Sequence, residues 1–263
     1  MKLLPAERRR PQRIGRLARV NREPTTGAVR FIAPILHRFL PMWTSRSWLG
    51  AEHLPPSGPA IVVANHISNL DPPLLAESLA YQGRYPHFLA KSSLFKVPVL
   101  GRLLRWAEQI PVLRGSSQAR DALVHAEAAL AAGQVVVIYP EGTITFDPHE
   151  WPMAAHTGAA RLALRTGAPV IPVGQWGANM ALPPRKIRKF QLRRWPITII
   201  YGAPVDLSEF GGAWADREVA RAATLKIMAA ITALTAQARG EQPPDQRWHQ
   251  RRNTHVAPAE AIV

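Results

Sequence analysis

The sequence contains no cysteine among its 263 residues. It therefore cannot form disulfides, thiolate zinc sites or iron–sulfur clusters, and it cannot use a cysteine nucleophile. Long apolar runs are also missing: none reaches the ~18–20 residues that span a bilayer. Arginines occupy the N-terminal stretch where a secretory signal has its apolar region, so we expect no signal peptide and a soluble or peripheral protein.

Acidic residues are scarce, with 18 Asp and Glu against 33 Lys and Arg, which gives a formal net charge of +15. This excess favours an anionic partner: a nucleic acid, an acidic membrane surface or a phosphorylated substrate. Aromatic residues make up only 7% of the chain, and no nucleic-acid-binding motif is present. The charge allows a nucleic acid as well, and composition alone does not choose among these partners.

Three common catalytic motifs are missing as well. The chain has no G-x-S-x-G elbow, no G-x-x-x-x-G-K-[ST] phosphate loop and no H-E-x-x-H sequence. A serine hydrolase of the elbow type, a P-loop nucleotide enzyme and a zinc protease therefore have no support.

Charge and composition divide the chain into four segments. Residues 1–28 carry seven arginines and one lysine against two glutamates, which predicts a basic flexible arm. Residues 29–50 have apolar side chains at helical spacing and predict an amphipathic helical segment, which either lies in a membrane interface or packs on the protein's own core. Residues 51–239 are predicted as one α/β domain, and residues 240–263 as an irregular basic tail.

Short β-rich runs alternate with helical patterns from residue 60 onward. The predicted strands are 60–65, 87–91, 109–112, 135–140, 169–174 and 197–202, and the predicted helices are 72–81, 99–107, 117–132, 157–165 and 217–239. Because several of the short runs are apolar throughout, the pattern indicates an α/β fold with a mostly parallel or mixed β-sheet flanked by helices.

The sequence A-N-H-I-S-N-L-D-P-P places His66 directly after a predicted buried strand and Asp71 five residues later. Folds of the α/β class present ligand-facing groups at this end of a strand. A carboxylate that accepts a hydrogen bond from one imidazole nitrogen leaves the other nitrogen able to take a proton from a hydroxyl. Asp71 before Pro72 and Pro73 is equally typical of a helix N-cap, and one carboxylate can serve both roles.

Two further blocks carry candidate ligand-binding groups. In V-V-V-I-Y-P-E-G-T-I-T, a carboxylate, a flexible backbone and a hydroxyl follow a predicted strand, at Glu141, Gly142 and Thr143. An ordinary turn has the same composition. Lys91 ends one predicted strand and Arg114 follows another, where both either meet a phosphate or are solvated surface cations.

Taken in order, N-H-x-x-x-x-D, the lysine-bearing block, Y-P-E-G-T and V-I-P-V resemble four blocks of the glycerolipid acyltransferases, most closely the bacterial 1-acylglycerol-3-phosphate acyltransferases. The resemblance covers residues 50–205. It implies an O-acyltransferase that moves an acyl chain from acyl-CoA or acyl-carrier protein to the free hydroxyl of a lysophospholipid. The acceptor that it implies is 1-acyl-sn-glycerol-3-phosphate, giving phosphatidic acid, with no metal or other cofactor.

The resemblance also implies residue roles. His66 is implied as the general base and Asp71 as the group that orients it. The residues implied to bind the acceptor, including its phosphate, are Lys91, Arg114, Glu141, Gly142 and Thr143.

The third block departs from the family pattern at Ile144, where an arginine that grips phosphate is usual, and His156 stands where a lysine is frequent. Either other cations bind the phosphate, or the acceptor is a different lysolipid or a glycolipid.

The positive charge then fits a peripheral protein on the cytoplasmic face of the cell membrane. Its expected partners are anionic membrane lipids, the lysophospholipid acceptor and, as one option, acyl carrier protein, without nucleic acid. The arm and the basic segment 184–194 are the candidate membrane contacts. Two other classes stay open: a non-enzymatic relative that binds anionic lipids, and a nucleic-acid-binding protein.

Overall fold

A computed structural model describes residues 27–112, 119–184 and 194–263. Most of the predicted basic arm, Arg114 and most of the basic segment 184–194 lie outside these ranges. The elements of the first half are helix α1 (Gly27–Trp43), strand β1 (Thr44–Leu49), strand β2 (Ala60–Ala64), helix α2 (Asp71–Tyr81), strand β3 (Pro86–Lys91), a 3₁₀ turn (Ser92–Lys96), helix α3 (Pro98–Trp106) and strand β4 (Ile110–Val112).

The second half continues the alternation of helices and strands. Its elements are helix α4 (Ala119–Ala131), strand β5 (Val135–Ile138), helix α5 (Gly158–Thr166), strand β6 (Val170–Trp176), helix α6 (Ala178–Ala181), strand β7 (Trp195–Tyr201), helix α7 (Arg217–Arg239), strands β8 (Arg247–His249) and β9 (Thr254–Val256), and a 3₁₀ turn (Pro258–Ala261).

Strands β1 to β7 form one sheet in the order β1-β7-β6-β2-β5-β3-β4. Neighbouring strands are parallel except for the antiparallel pair β6–β7. The sequence-based prediction of a mostly parallel, mixed sheet flanked by helices is therefore confirmed.

The central strand β2 is fully buried and contributes side chains to two core clusters, one on each face of the sheet. Ile61 and Val63 point into a cluster with α4, α5 and α7 on one face of the sheet. Ala60, Val62 and Ala64 point to the other face, where α1 and α2 pack. Because both faces are covered by helices, the strand is apolar at every position, which made it easy to recognise in the sequence.

Strand β1 corrects the predicted helical segment 29–50. The helix ends at Trp43, and Thr44–Leu49 form an edge strand parallel to β7. The polar sequence TSRSWL hid this strand, because only Thr44 is fully buried in it. Since β1 belongs to the main sheet, the helix and the α/β domain are not separated at residue 50.

Helix α1 has apolar side chains on two faces, so both interpretations of its pattern apply in part. Leu36 and Leu40 pack against the core cluster that covers one face of the sheet. Phe31, Ile35 and Phe39 are exposed on the other side of the helix. The helix therefore packs on the protein and still presents an apolar surface outward.

The C-terminal segment 240–263, predicted as irregular, is ordered over much of its length. Strands β8 and β9 form an antiparallel hairpin, and Ala261 and Ile262 are buried. Ile262 also forms a β-bridge with Ala155. These pairings join residues more than 90 positions apart, which a local reading of prolines and arginines does not detect.

Helix α7 is long and apolar enough to cross a membrane by length and composition, in contrast to the expectation from the sequence. Its residues Ala223, Ile227 and Ile231 are buried in the core. A Cβ on Gly174 of β6 would lie 2.3 Å from the backbone of Leu234. The helix therefore packs directly on the sheet, as core helices of soluble domains do.

Candidate active site

The sheet order β2-β5-β3 brings three predicted blocks to one edge. Because these strands are parallel, their carboxyl ends lie side by side. His66 follows β2, Glu141 follows β5, and Lys91 ends β3. Blocks separated by up to 75 residues in the sequence are thus assembled at a single position, as is typical of open α/β sheets.

His66 and Asp71 form a hydrogen-bonded pair in the turn that leaves β2. The His66 Nδ1 and Asp71 Oδ2 atoms lie 2.8 Å apart. Asp71 is completely buried, whereas the side chain of His66 keeps 15% of its surface exposed. The structure therefore brings together the two residues that the sequence singled out first.

Asp71 also fixes the tautomer of the imidazole. Its Oδ2 accepts hydrogen bonds from the backbone N–H groups of Ile67 and Ser68, at 2.6 and 2.7 Å. An oxygen in this position is an acceptor, so the proton of the His66 pair resides on Nδ1 and Nε2 carries the lone pair.

The predicted helix-cap role of Asp71 differs from the geometry. Asp71 is the first residue of α2, the cap position falls on Leu70, and no side chain caps that helix end. The carboxylate instead reaches back into the preceding turn, where it binds two amides and His66. Asp71 therefore shapes the loop that carries the histidine.

Glu141 holds the same loop from the neighbouring strand. Its Oε1 accepts a hydrogen bond from the backbone N–H of His66 at 2.9 Å, and its Oε2 accepts one from Met153 at 3.0 Å. Burial raises the pKa of Glu141 to about 8, against the two amides that favour the charged form. The acceptor contact that the resemblance implied for Glu141 stays a prediction, and the structure shows in addition that its carboxylate holds the His66 backbone.

Asn65, next to His66, is locked to β6. Its amide nitrogen donates to the Gln175 carbonyl at 3.0 Å, and its amide oxygen accepts from the Gln175 backbone N–H at 2.8 Å. The Gln175 side chain donates in turn to the carbonyl of Asn65 at 2.7 Å. All of these groups are buried, so the strand end before the histidine has little freedom to move.

The Tyr139 ring packs against the imidazole ring of His66. The two rings are stacked, with centroids 4.3 Å apart and an angle of 20° between their planes. Burial raises the pKa of the Tyr139 phenol well above its ordinary value, so the ring stays neutral. Sequence analysis did not identify Tyr139, although it directly precedes the Pro-Glu-Gly-Thr block.

An apolar cavity of about 570 Å³ opens beside His66. Helices α1, α2 and α3 contribute just under half of its lining residues, among them Leu36, Ala76 and Leu104. His66 and Lys91 lie in the same lining. The exposed part of the imidazole therefore faces a space that suits a hydrocarbon chain.

A second cavity of about 360 Å³ shares four lining residues with the first: Leu89, Lys91, Tyr139 and Gly142. Its wall adds His156, Arg161 and the first turn of α5. We call it the basic cavity because the side chains of Lys91 and Arg161 line it and the positive end of the α5 dipole adds to their charge.

Gly142 shapes the basic cavity through its backbone. Its φ angle of 70° is in the left-handed region that favours glycine. A Cβ at this position would lie 3.1 Å from the Cδ2 atom of His156. The absence of a side chain therefore lets the histidine ring lie against the turn.

The other predicted site residues have mixed outcomes. Lys91 is exposed at the strand end and lines both cavities, as a ligand-binding cation requires. Thr143 is half-buried and lines neither cavity, and Arg114 lies outside the described residues. Arg161 lines the second cavity. Sequence analysis did not identify it, because a single arginine in a helical pattern does not by itself indicate a binding site.

A histidine–aspartate pair at the carboxyl ends of central parallel strands of an α/β domain, beside an apolar cavity, is an arrangement that can provide a general base. Residues 47–176 match the family model described as Acyltransferase. This range contains His66, Asp71, Lys91 and Glu141. Residues 47–176 therefore form a domain of the acyltransferase family.

Individual relatives agree with this assignment. The chain is 31% identical over 136 residues to the chloroplastic 1-acyl-sn-glycerol-3-phosphate acyltransferase BAT2 of Brassica napus, covering 51% of this chain and 38% of that one. It is 28% identical over 200 residues to an uncharacterized protein of Mycobacterium tuberculosis, covering 70% of this chain and 53% of that one. The chain thus spans between about a third and a half of the length of these relatives.

A solved structure has the same fold. It is the crystal structure of the 1-acyl-sn-glycerophosphate (LPA) acyltransferase PlsC of Thermotoga maritima, with a TM-score of 0.54 and 23% sequence identity. The likeness covers 79% of this chain and 81% of that one. It extends beyond residues 47–176 and supports the α/β architecture described above.

Proposed function

We propose that this protein is an O-acyltransferase that moves an acyl chain from a thioester donor to the free hydroxyl of a lysophospholipid. The acceptor that we propose is 1-acyl-sn-glycerol-3-phosphate, and the product is phosphatidic acid. The observation that carries the proposal is the 2.8 Å contact between His66 Nδ1 and Asp71 Oδ2 at the wall of an apolar cavity.

The proposed reaction is a direct transfer. The Nε2 atom of His66 accepts the proton of the acceptor hydroxyl while the hydroxyl oxygen attacks the thioester carbonyl carbon. The tetrahedral intermediate collapses, the carbon–sulfur bond breaks, and the imidazolium returns its proton to the departing thiolate. Asp71 stabilises the imidazolium between these steps. The step needs no metal ion or other cofactor.

The apolar cavity supports binding of the transferred chain. Its lining includes Leu36 from α1, Ala76 from α2 and Leu103 from α3, so a hydrocarbon chain would be enclosed by three helices. Burial of apolar surface stabilises such a complex by roughly 25 cal/mol per Å². Since coenzyme A and acyl carrier protein share the same thioester, the cavity accommodates either donor.

The basic cavity supports binding of the acceptor's phosphate. Lys91 and Arg161 line it from two different elements, together with the first turn of α5. The Arg161 guanidinium is positioned by hydrogen bonds to the Thr157 side chain and the Trp214 carbonyl. These cations compensate for Ile144, which stands where the family usually has a phosphate-binding arginine.

An exposed apolar surface supports peripheral membrane binding. Helix α1 and the region of α3 meet through the rings of Phe31 and Trp106, 5.8 Å apart. We call this surface the apolar rim; its exposed residues are Phe31, Ile35, Phe39, Met42, Trp43, Leu94, Val97, Val99, Leu100, Leu103 and Trp106. Exposed cations lie beside it on the same elements, at Arg38, Lys96, Arg102 and Arg105. A patch of this kind fits an anionic lipid surface next to the cavity mouth.

The location that we propose is the cytoplasmic face of the cell membrane, where acyl-CoA and acyl carrier protein are available to the donor site. The basic arm and the 184–194 segment would add charge to the same interaction. Each cation near an anionic leaflet contributes about 1 kcal/mol.

The test is an acyl-transfer assay on the purified chain. Labelled acyl-CoA or acyl-carrier protein is incubated with lysophosphatidate and with lysolipids of other head groups, and products are identified by mass spectrometry. We expect phosphatidic acid from the unmodified protein. His66→Ala should lower turnover by about 10²–10⁴-fold without loss of fold.

The matched control is His125→Ala, which removes an exposed imidazole from α4. It should leave turnover unchanged. Absence of product with every donor and acceptor, together with vesicle binding, would instead identify a non-enzymatic lipid-binding relative. Tight, strongly salt-dependent DNA binding without transfer would favour the nucleic-acid alternative.

A further inference from the structure

Three neighbouring strands of the sheet, β2, β5 and β3, bring three aromatic rings together. His66 follows β2, Tyr139 follows β5, and Phe88 lies within β3. The ring centroids of His66 and Tyr139 are 4.3 Å apart with 20° between the ring planes, and those of Tyr139 and Phe88 are 6.2 Å apart with 16° between the planes. Because β5 is the middle strand of the three, Tyr139 is the middle ring. We call Phe88, Tyr139 and His66 the aromatic stack.

The hydrogen bond to Asp71 restrains only one atom of the imidazole. It holds Nδ1 at 2.8 Å from Asp71 Oδ2, but a ring held at one nitrogen can still tilt. Contact between one face of the imidazole and the face of Tyr139 opposes this tilt, because a close-packed neighbour leaves no space on that side. The two contacts together fix the direction in which Nε2 points.

The aromatic stack also lies at the walls of the two cavities. His66, Tyr139 and Phe88 all line the apolar cavity, and Tyr139 lines the basic cavity as well. The ring that contacts the candidate base therefore borders both spaces from which substrates would approach it.

We propose that Tyr139 is a positioning residue for the acyl transfer: its ring, supported by Phe88, fixes the plane of the His66 imidazole so that Nε2 points at the reacting hydroxyl. The role rests on the proposed function, since it serves the base of that reaction. It requires the ring of Tyr139 and not its hydroxyl group, so a phenylalanine should replace it and an aliphatic side chain should not.

The face of Tyr139 also suits the charge that forms during the transfer. The faces of an aromatic ring carry partial negative charge and attract a cation that lies over them. The His66 ring becomes an imidazolium when Nε2 takes the hydroxyl proton, and it then lies over such a face. Phenylalanine at position 139 keeps this face, whereas leucine removes it.

The first experiment records the ring-proton NMR signals of ¹³C-labelled histidine, with those of His66 assigned by their loss in His66→Ala. Protons that lie over the face of an aromatic ring are shifted upfield by its ring current. We therefore expect the His66 signals to move downfield in Tyr139→Leu and to stay close to their original positions in Tyr139→Phe. Phe210→Leu removes a ring that packs against the core cluster on the other face of the sheet and should leave the signals unchanged.

The second experiment measures steady-state acyl transfer with each substrate varied in turn. Tyr139→Leu should lower kcat by about 10–100-fold, the range expected for a misplaced catalytic group. Tyr139→Phe and Phe210→Leu should keep the kcat of the unmodified protein. A residue that only lines the cavities would instead raise a KM and leave kcat unchanged.

Phe88→Leu tests whether the aromatic stack acts as one unit. Alone it should lower kcat by a smaller factor than Tyr139→Leu, because Phe88 reaches His66 through the Tyr139 ring. In a Tyr139→Leu background it should lower kcat no further, because the ring through which it acts is gone. An equal loss in both backgrounds would overturn the supporting role of Phe88.

The outcomes separate the two proposals. Unmoved His66 signals in Tyr139→Leu, an unchanged kcat in that variant, or an equal loss of kcat in Tyr139→Phe would overturn the role of Tyr139. An unmodified chain that transfers no acyl group would overturn the proposed function, while the NMR signals would still report whether Tyr139 fixes the imidazole. Circular dichroism identifies any variant that fails to fold, and Tyr139→Met then replaces Tyr139→Leu in both experiments.

Discussion

The two cavities beside His66 share four lining residues and differ in the size and chemistry of the remaining lining. The larger is enclosed by three helices and its lining is mostly hydrocarbon. The smaller adds His156, Arg161 and a helix N-terminus over an apolar floor that includes Leu123 and Ile138. A chain of methylenes fits the first, and a phosphate with its glycerol fits the edge of the second.

The proposed reaction requires one site to bind two unlike substrates, and the difference between the two cavities fits that requirement. Helices on one face of the sheet line the apolar cavity. The lining of the basic cavity includes residues of α4 and α5, which lie on the other face of the sheet. The carboxyl ends of β3 and β5 form the shared boundary, where Lys91 and Tyr139 line both spaces. A substitution in the lining of one cavity can therefore leave the other cavity unchanged, whereas a substitution at the shared boundary affects both cavities.

The largest effect should come from Asp71→Asn, which changes the hydrogen-bond partner of His66 and leaves the lining of both cavities intact. The amide oxygen can take the place of Oδ2 and still accept from Ile67, Ser68 and His66 Nδ1. The amide carries no charge, however, so it cannot stabilise the imidazolium that forms during the transfer, and its NH₂ group would be buried where Asp71 Oδ1 has no hydrogen-bond partner among the described residues. We expect turnover to fall on the order of 10³–10⁴-fold, with both Michaelis constants nearly unchanged.

Steady-state kinetics with each substrate varied in turn measures this effect. Asp206→Asn, at an exposed aspartate, is the matched control and should have normal activity. If Asp71→Asn retained full turnover, the imidazole would not need its carboxylate partner, and the proposed base would be wrong.

Ala76→Phe should narrow the apolar cavity alone. Ala76 lies on α2 in the cavity lining, so a phenyl ring would occupy space proposed for the chain. Each methylene excluded from an apolar pocket is worth about 1–3 kcal/mol. We therefore expect the preference for long over short acyl donors, as kcat/KM, to fall about 10–100-fold.

The ratio of kcat/KM values for long and short acyl donors is measured directly when the two donors compete in one reaction. Ala128→Phe adds the same ring at an exposed position of α4 and should leave the ratio as it was. An Ala76→Phe protein with unchanged chain preference would show that the chain binds elsewhere.

The same contrast explains what could be predicted from the sequence. Strands β2 and β5 were evident because AIVVA and VVVI are buried on both faces of the sheet. His66, Asp71 and Lys91 could be identified because each lies directly at a strand end or within the turn that follows it. Local pattern and chemistry coincide at those positions.

Other parts depend on contacts between distant residues and gave no local signal. The edge strand β1 has a polar sequence, because its place is fixed by pairing with β7 about 150 residues later. Arg161 lines the basic cavity only because α5 folds next to the turn at Gly142. Arginines are mostly solvated in proteins, so a sequence alone favours the surface interpretation.

Arg161→Gln should weaken acceptor binding while the donor site is untouched. The loss of one charge-assisted contact to phosphate corresponds to roughly tenfold in affinity. We expect the KM of lysophosphatidate to rise about tenfold, with little change for the acyl donor and a smaller change for an acceptor that has no phosphate.

Arg165→Gln removes a cation one turn further along α5, where it pairs with Glu127 instead of lining the cavity. It should leave both Michaelis constants unchanged. Equal effects of Arg161→Gln on phosphate-bearing and phosphate-free acceptors would contradict the assignment of the basic cavity to the head group.

The smallest effect should come from the part of the apolar rim that lines neither cavity, which includes Phe39 and Val99. Phe39→Ser and Val99→Ser replace exposed side chains on α1 and α3, so the fold should lose little stability. Partial insertion of each side chain into a bilayer contributes about 1 kcal/mol, a few-fold in binding. We therefore expect each variant to bind vesicles of phosphatidylcholine and phosphatidylglycerol about threefold to tenfold more weakly.

Val124→Ser is the matched control, because Val124 is exposed on α4 at the other face of the sheet, and this variant should bind vesicles normally. Equal losses of vesicle binding in all three variants would mean that the apolar rim does not face the lipid.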